Sequence, residues 1–125
     1  MKNELLIVGT AGFLGSISRY LIGVWIGGRN STAFPIATLL VNLVGCFLIG
    51  ILSILVERSF PQHRSLYLFG SVGFLGAFTT FSAFGLETLQ LLRNQQPSLA
   101  FANVIANVAL GLVAVWAGRS LASVF

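Results

Sequence analysis

The chain has 125 residues, of which 56% are hydrophobic and only 8% carry a charge, and its mean hydropathy is +0.93. A soluble domain carries about 25% charged residues, so a water-soluble fold is excluded and an integral membrane protein is predicted. The net charge of +4 does not indicate nucleic-acid binding, because the seven Lys and Arg residues are scattered singly between apolar runs and form no basic patch.

Four hydrophobic stretches are long enough to cross a bilayer, and they leave no room for a soluble domain. We predict spans at about residues 5–26, 36–56, 66–92 and 99–118, joined by short polar connections. Residues 1–125 are therefore expected to form one integral membrane domain. The fold class is an all-α, multi-pass membrane protein with four transmembrane helices per subunit, placed in the inner cell membrane.

Two polar side chains interrupt the first two spans. Arg19 lies deep in the first span, where a charge is costly unless it snorkels to the surface or faces water. Both a snorkelling arginine and an anion-attracting charge at a pore mouth fit this position. Asn42 is the only amide of the second span, and it needs a hydrogen-bonding partner there. That partner is either a neighbouring helix or the contents of a pore.

The third span has a composition that does not suit a plain helix facing lipid. Residues 73–85 (GFLGAFTTFSAFG) combine three glycines with the adjacent pair Thr79 and Thr80, and glycine and β-branched residues both weaken a helix. Backbone that leaves helical geometry inside a membrane must be buried in protein or line a wet cavity. We predict that the third helix is broken near residues 76–80 and that the break is a site. A small-residue helix-packing face is the alternative.

Aromatic and polar side chains around this predicted break suit a small anion. Phe78, Phe81 and Phe84 recur every three residues and form a stripe at helical spacing, and ring edges carry partial positive charge. Such edges can replace some of the water around an anion, while Asn42, Thr80 and Ser82 supply hydrogen bonds. The same spacing is also typical of plain core or lipid contact.

The positive charges are nearly balanced between the two ends of the spans. Four Lys or Arg residues fall on the side of the N-terminus and two on the other side, or three if Arg19 is counted. This bias is weak under the positive-inside rule. We therefore expect insertion in both orientations and assembly as an antiparallel, dual-topology homodimer.

An enzyme is not expected, because the chain has no Ser-His-Asp, Cys-His or metal-ligand set and no carboxylates paired within a span. The alternative to an anion channel is a small dual-topology proton-coupled multidrug exporter. Such an exporter needs an ionisable carboxylate deep in its first span. Here Glu4 lies at the edge of that span, and Arg19 lies deeper.

Three motifs resemble the Fluc (CrcB) family of fluoride channels. They are residues 12–20 (GFLGSISRY), residues 38–45 (TLLVNLVG) and residues 73–84 (GFLGAFTTFSAF) followed by Glu87. The resemblance covers essentially the whole chain. It implies a fluoride-selective channel that exports fluoride passively and relieves its toxicity, with two pores per antiparallel homodimer.

The resemblance also implies roles for individual residues. The implied fluoride pore consists of Asn42, Thr80, Phe81, Ser82 and Phe84. Arg19 corresponds to a vestibule arginine that draws anions in. The backbone carbonyls of Gly76 and Thr79 from each subunit correspond to those that hold a structural sodium ion (Na+) on the two-fold axis.

The chain departs from the family pattern at several positions where relatives carry hydroxyls. These are Ala83, Gly85, Asn107, Gly111 and Val115. The chain thus has fewer polar side chains to contact fluoride than the family pattern implies, and the sequence does not determine the path of the ion. Asn103 and Asn107, which lie four residues apart on one face of the fourth span, or water, are expected to compensate.

Overall fold

The computed structural model describes residues 1–29, 31–59 and 64–124, and within these ranges all regular structure is helical. Helix α1 covers Lys2–Gly27 and α2 covers Ile36–Ser59. The third span consists of α3 (residues 64–78) and α4 (Phe81–Arg93), and α5 forms the fourth span over Pro97–Ser123. Each of the four spans is long and apolar enough to cross a membrane. The predicted four-helix membrane fold with a broken third helix is confirmed.

The third span breaks at its two adjacent threonines. Thr79 has φ −78° and ψ 157°, and Thr80 has φ −148° and ψ 111°, so both residues are extended. The break lies at the far end of the predicted region, because Gly76 is still helical. Sequence analysis missed two π-helical stretches, Leu68–Leu75 in α3 and Ala106–Leu110 in α5. Such widened turns often occur at functional sites.

Alternate spans pack most closely against each other. Helix α1 lies along α3, and α2 lies along Gly111–Ser123 of α5, while α4 packs against the first part of α5. Glycines allow the second of these contacts: a methyl group on Gly118 would overlap the backbone of Phe47. The hydrophobic effect does not drive helices together within lipid. Close backbone packing of this kind is therefore a main source of helix–helix attraction in a membrane.

Two ion pairs between different helices lie at the end of the bundle that holds the N-terminus. Arg64 Nε lies 2.8 Å from Glu4 Oε1, which joins the beginnings of α1 and α3. Arg119 contacts both carboxylate oxygens of Glu57 at 2.8 and 3.1 Å, which joins α2 and α5. All four side chains are more than a third exposed, so the pairs fix the relative height of the helices more than they stabilise the fold.

Candidate functional site

A cavity of about 410 Å³ lies against the break in the third span. Its walls come from α2, α3, α4 and α5, and none of the described residues that line it carries a charge. The polar lining side chains are Asn42, Ser71, Thr79, Thr80 and Asn107. The break, two aromatic rings and several neutral hydrogen-bonding groups therefore share one space.

One side-chain amide satisfies the extended backbone at the break. Asn42 Oδ1 accepts a hydrogen bond from Thr80 N at 2.9 Å, and Asn42 Nδ2 donates to Thr80 O at 3.2 Å. The amide thus pairs with the backbone as a neighbouring β-strand would. Because a bare N–H and C=O inside a bilayer cost several kcal/mol, this pairing, here called the Asn42–Thr80 clasp, makes the break tolerable.

Each half of the broken helix is closed by a threonine hydroxyl. Thr79 ends α3: its backbone N–H and its hydroxyl both donate to Leu75 O, each at 3.0 Å. Thr80 begins α4: its Oγ1 accepts from Ala83 N at 3.2 Å, which is a typical N-cap. The adjacent threonines therefore end one helix and start the next.

The same contacts release the two carbonyls that the sequence resemblance assigned to sodium. In an unbroken helix the Gly76 carbonyl would accept from Thr80 N, but that N–H donates to Asn42 instead. The Thr79 carbonyl would accept from Ala83 N, which donates to Thr80 Oγ1 instead. Carbonyls of unwound backbone and of half-helix C-terminal ends are the ligands that membrane proteins offer to Na+. The donor set at Gly76 and Thr79 thus fits a hard cation.

Arg19 lies at the break, beside the carboxyl end of α3. Its Nε donates to Ala77 O at 3.1 Å, and the side chain is half-buried. A cation is favourable there, since the free carbonyls at a helix C-terminus carry partial negative charge. Arg19 also borders a smaller cavity of about 110 Å³ with Thr38 and Thr80. The sequence left its environment open between lipid headgroups and a pore mouth; the structure adds a direct contact with the broken helix.

The phenylalanine stripe divides between the core and the cavity. Phe78 is buried and stacks on Phe74, with 5.7 Å between ring centroids. Phe81 and Phe84 both line the cavity. Their ring centroids lie 5.4 Å apart, and their ring planes are inclined by 56°. Phe81 is 82% exposed and Phe84 only 8%. The Phe84 ring is therefore fixed by its surroundings, whereas Phe81 projects from the chain.

The remaining predicted pore residue, Ser82, lies at the surface of the chain. Its Oγ is 3.3 Å from Thr80 Oγ1. Thr80 Oγ1 already accepts from Ala83 N. Two hydroxyls that share one hydrogen bond have one further O–H hydrogen between them, which remains free to donate to a ligand.

Sequence reasoning missed the partners of Asn42 in the fourth span. Asn42 Nδ2 also donates to Asn107 Oδ1 at 2.9 Å. Asn107 Nδ2 in turn donates to Asn103 Oδ1 at 2.9 Å, so the predicted shared face of these two residues is confirmed. Both Nδ2 hydrogens of Asn42 are thus engaged within the chain. The signal was present, since three lone amides in apolar spans need partners, but the sequence does not say which of them meet.

A second polar contact crosses from α2 to α4. Thr38 Oγ1 donates to Glu87 Oε1 at 2.7 Å. The other carboxylate oxygen of Glu87 is buried and has no hydrogen-bond partner among the residues that the structure describes. One carboxylate oxygen of Glu87 is therefore held by α2 and the other is enclosed by protein, one helical turn beyond Phe84.

Comparison with known proteins gives a consistent result over nearly the whole chain. A family model described as "CrcB-like protein, Camphor Resistance (CrcB)" matches residues 6–119. The chain is 42% identical to "Fluoride-specific ion channel FluC" of Ruminiclostridium cellulolyticum, with 95% of this chain and 92% of the relative covered. It is also 42% identical to proteins of the same name from Rhizobium meliloti and Solibacter usitatus, of which 95% and 98% are covered.

The N-cap at the break makes a testable prediction about stability. Changing Thr80→Val removes the cap of α4 and is expected to destabilise the protein by about 1 kcal/mol. Changing Thr79→Val removes a hydroxyl that bonds only to its own helix, and should have a smaller effect. The measurement is the thermal unfolding midpoint of each purified variant in detergent. Equal midpoints for the two variants would show that the hydroxyl cap does not support the break.

Proposed function

The chain belongs to the CrcB-like protein family, and on that premise we propose that it is a fluoride-selective ion channel that lets fluoride leave the cell passively across the inner membrane. The observation that carries the proposal is the uncharged cavity at the break, lined by Thr80, which shares one spare hydroxyl hydrogen with Ser82, and by the rings of Phe81 and Phe84. Passive export of fluoride relieves its toxicity and needs no catalytic group.

Dehydration is the main barrier for fluoride, because the ion is small and strongly hydrated. In the proposed path the spare O–H hydrogen of Thr80 and Ser82 replaces one water. The edges of Phe81 and Phe84 cover part of the remaining surface, since ring edges carry partial positive charge. A path without a fixed cation in its lining binds the ion weakly enough to release it. Chloride is larger and accepts hydrogen bonds less well, so the same hydroxyl and ring edges stabilise it less.

In this proposal the main role of Asn42 is to hold Thr80 in place. Both hydrogens of its Nδ2 are already donated, one to Thr80 O and one to Asn107 Oδ1. Asn42 can donate to fluoride only by releasing one of these acceptors. Arg19, which lies at the break and beside the smaller cavity, is proposed to raise the local anion concentration at the vestibule.

The exporter alternative has less support. Glu4, the one acid of the first span, is paired with Arg64 at the end of the bundle and does not reach the cavity. None of the described residues that line the cavity is a carboxylate. A cavity of this kind has no acid with which to exchange protons for a cationic drug.

The functional unit is proposed to be an antiparallel homodimer with two pores. Phe81 is 82% exposed in the single chain, although it lines the cavity. A path that includes this ring therefore needs a second surface to enclose it. The near balance of Lys and Arg between the two ends permits both orientations in one membrane, so the second surface can come from an inverted copy.

The Gly76 and Thr79 carbonyls of the two subunits are proposed to hold a structural sodium ion on the dimer axis. The support is chemical: the helical donors of both carbonyls are diverted, and a ring of unwound carbonyls suits Na+. The ion would join the two broken helices and offset the partial negative charge of these carbonyls.

Fluoride efflux from proteoliposomes, followed with a fluoride electrode, tests the transport function. We expect fluoride to leave, while chloride and a cationic dye are retained. Changing Phe81→Ile should lower the fluoride rate by about tenfold or more, as the loss of about 1.4 kcal/mol of barrier stabilisation would. Phe101→Ile is the control, because Phe101 is also exposed but lies outside the cavity. Normal efflux through the Phe81 variant would remove the aromatic role, and dye movement driven by a proton gradient would favour the exporter.

Orientation in the membrane is testable by cysteine labelling. In a Cys46→Ser background, Asn94→Cys and Ser123→Cys place a single thiol at opposite ends of the bundle. A dual-topology protein should show comparable, partial labelling of both variants by an impermeant maleimide on intact cells. Complete labelling of one variant and none of the other would exclude the antiparallel dimer.

Sodium dependence is testable on purified protein by thermal unfolding. Replacing Na+ by K+ at equal ionic strength should lower the unfolding midpoint, because an ion that binds only the folded state stabilises it. The effect should saturate with Na+ concentration. Identical midpoints in the two salts would argue against the sodium site and leave the transport proposal standing.

A further inference from the structure

The Asn42–Thr80 clasp is one end of a longer chain of side-chain hydrogen bonds. Thr80 N donates to Asn42 Oδ1, and Asn42 Nδ2 donates to Asn107 Oδ1, at 2.9 Å each. Asn107 Nδ2 donates to Asn103 Oδ1, again at 2.9 Å. The chain thus runs from the break in the third span through α2 into the fourth span.

The chain then returns to the third span. Asn103 Nδ2 donates to Thr88 Oγ1 at 2.9 Å, and the Thr88 hydroxyl donates to Phe84 O at 2.7 Å. Asn103 has no exposed surface. The chain therefore starts on one backbone group of the broken span, ends on another, and joins the break to the backbone of Phe84.

All donors in this chain point the same way. A backbone N–H can only donate and a backbone C=O can only accept, so Thr80 and Phe84 fix the direction at both ends. Turning Asn42 or Asn107 over would set N–H against N–H on one side and oxygen against oxygen on the other. Asn107 is held further, because its Nδ2 also donates to Asn103 O at 3.0 Å. The orientation of Asn42 is thus set by its two hydrogen bonds with Thr80 and also by Asn107, which does not touch Thr80.

We propose that Asn107 and Asn103 are positioning residues, which fix the orientation of the Asn42 amide and, through it, the geometry of the break and the Thr80 hydroxyl. The proposal rests on the proposed function only in naming fluoride as the ion whose path this geometry supports. It gives a role to Asn107, at one of the positions where the family resemblance implies a hydroxyl, and to Asn103 one turn before it. They act as the support of the pore residues, and Asn103, being fully buried, cannot itself meet an ion in the cavity.

Backbone hydrogen exchange at Thr80 reports the clasp directly. Thr80 N–H is protected by Asn42, whereas Thr79 N–H donates to Leu75 O and is protected by its own helix. The ratio of the two exchange rates therefore separates loosening of the clasp from general destabilisation. The rates are measured by NMR on the full-length protein in nanodiscs without fluoride, so the result is independent of the transport assay.

Changing Asn107→Leu keeps the shape of the side chain and removes both of its links. We expect exchange at Thr80 to rise by about tenfold to hundredfold relative to Thr79, as for a buried polar group that has lost its partner. Changing Thr88→Val cuts the chain two links further away and should raise the ratio less. Thr10→Val is the control, since the Thr10 hydroxyl bonds only to carbonyls of its own helix.

The outcomes are distinct. A rise at Thr80 alone supports the proposal. An unchanged ratio in Asn107→Leu, or an equal rise at both threonines, overturns it, because the amides would then act on overall stability or not at all. If Asn107→Leu does not fold, Thr88→Val decides by the same ratio. Loss of fluoride efflux in Thr80 or Phe81 variants bears on the channel proposal and leaves this one untouched.

Discussion

The structure depends on how two extended residues are accommodated between four apolar spans. Thr79 and Thr80 leave helical geometry where water is absent, and an unpaired backbone group there costs several kcal/mol. One amide, Asn42, pairs with both polar groups of Thr80. The cavity, the exposed carbonyls and the placement of the phenylalanines all follow from the break that this single side chain permits.

Much of the architecture could be predicted from the sequence, because it follows from local composition. Four apolar stretches of bilayer length gave the spans, and the weak helix formers of residues 73–85 gave the break. The π-helical stretches Leu68–Leu75 and Ala106–Leu110 carry no comparable signal. They arise where a helix adjusts to its neighbours, which is a property of packing and not of one segment.

The candidate site could be predicted only in outline. Asn42 was identified as an amide in need of a partner, but its partners lie 38 and 65 residues away in the chain, and sequence patterns do not encode such pairings. The sequence leaves Arg19 open between a snorkelling charge and a charge at a pore mouth. The Ala77 carbonyl that it contacts is available only because the helix ends there. Long-range contacts of this kind emerge only when the spans are placed side by side.

The alternating contacts between spans bear on how the chain is built. Helix α1 finds its close neighbour in α3, and α2 finds its own in the last part of α5, where Gly118 lies against Phe47. Neither of the first two segments can therefore complete its native contacts when it leaves the translocon. During biogenesis both segments must therefore stay in lipid until the third and fourth spans are inserted. Until then the Asn42 amide lacks the Thr80 backbone groups that it binds in the folded protein.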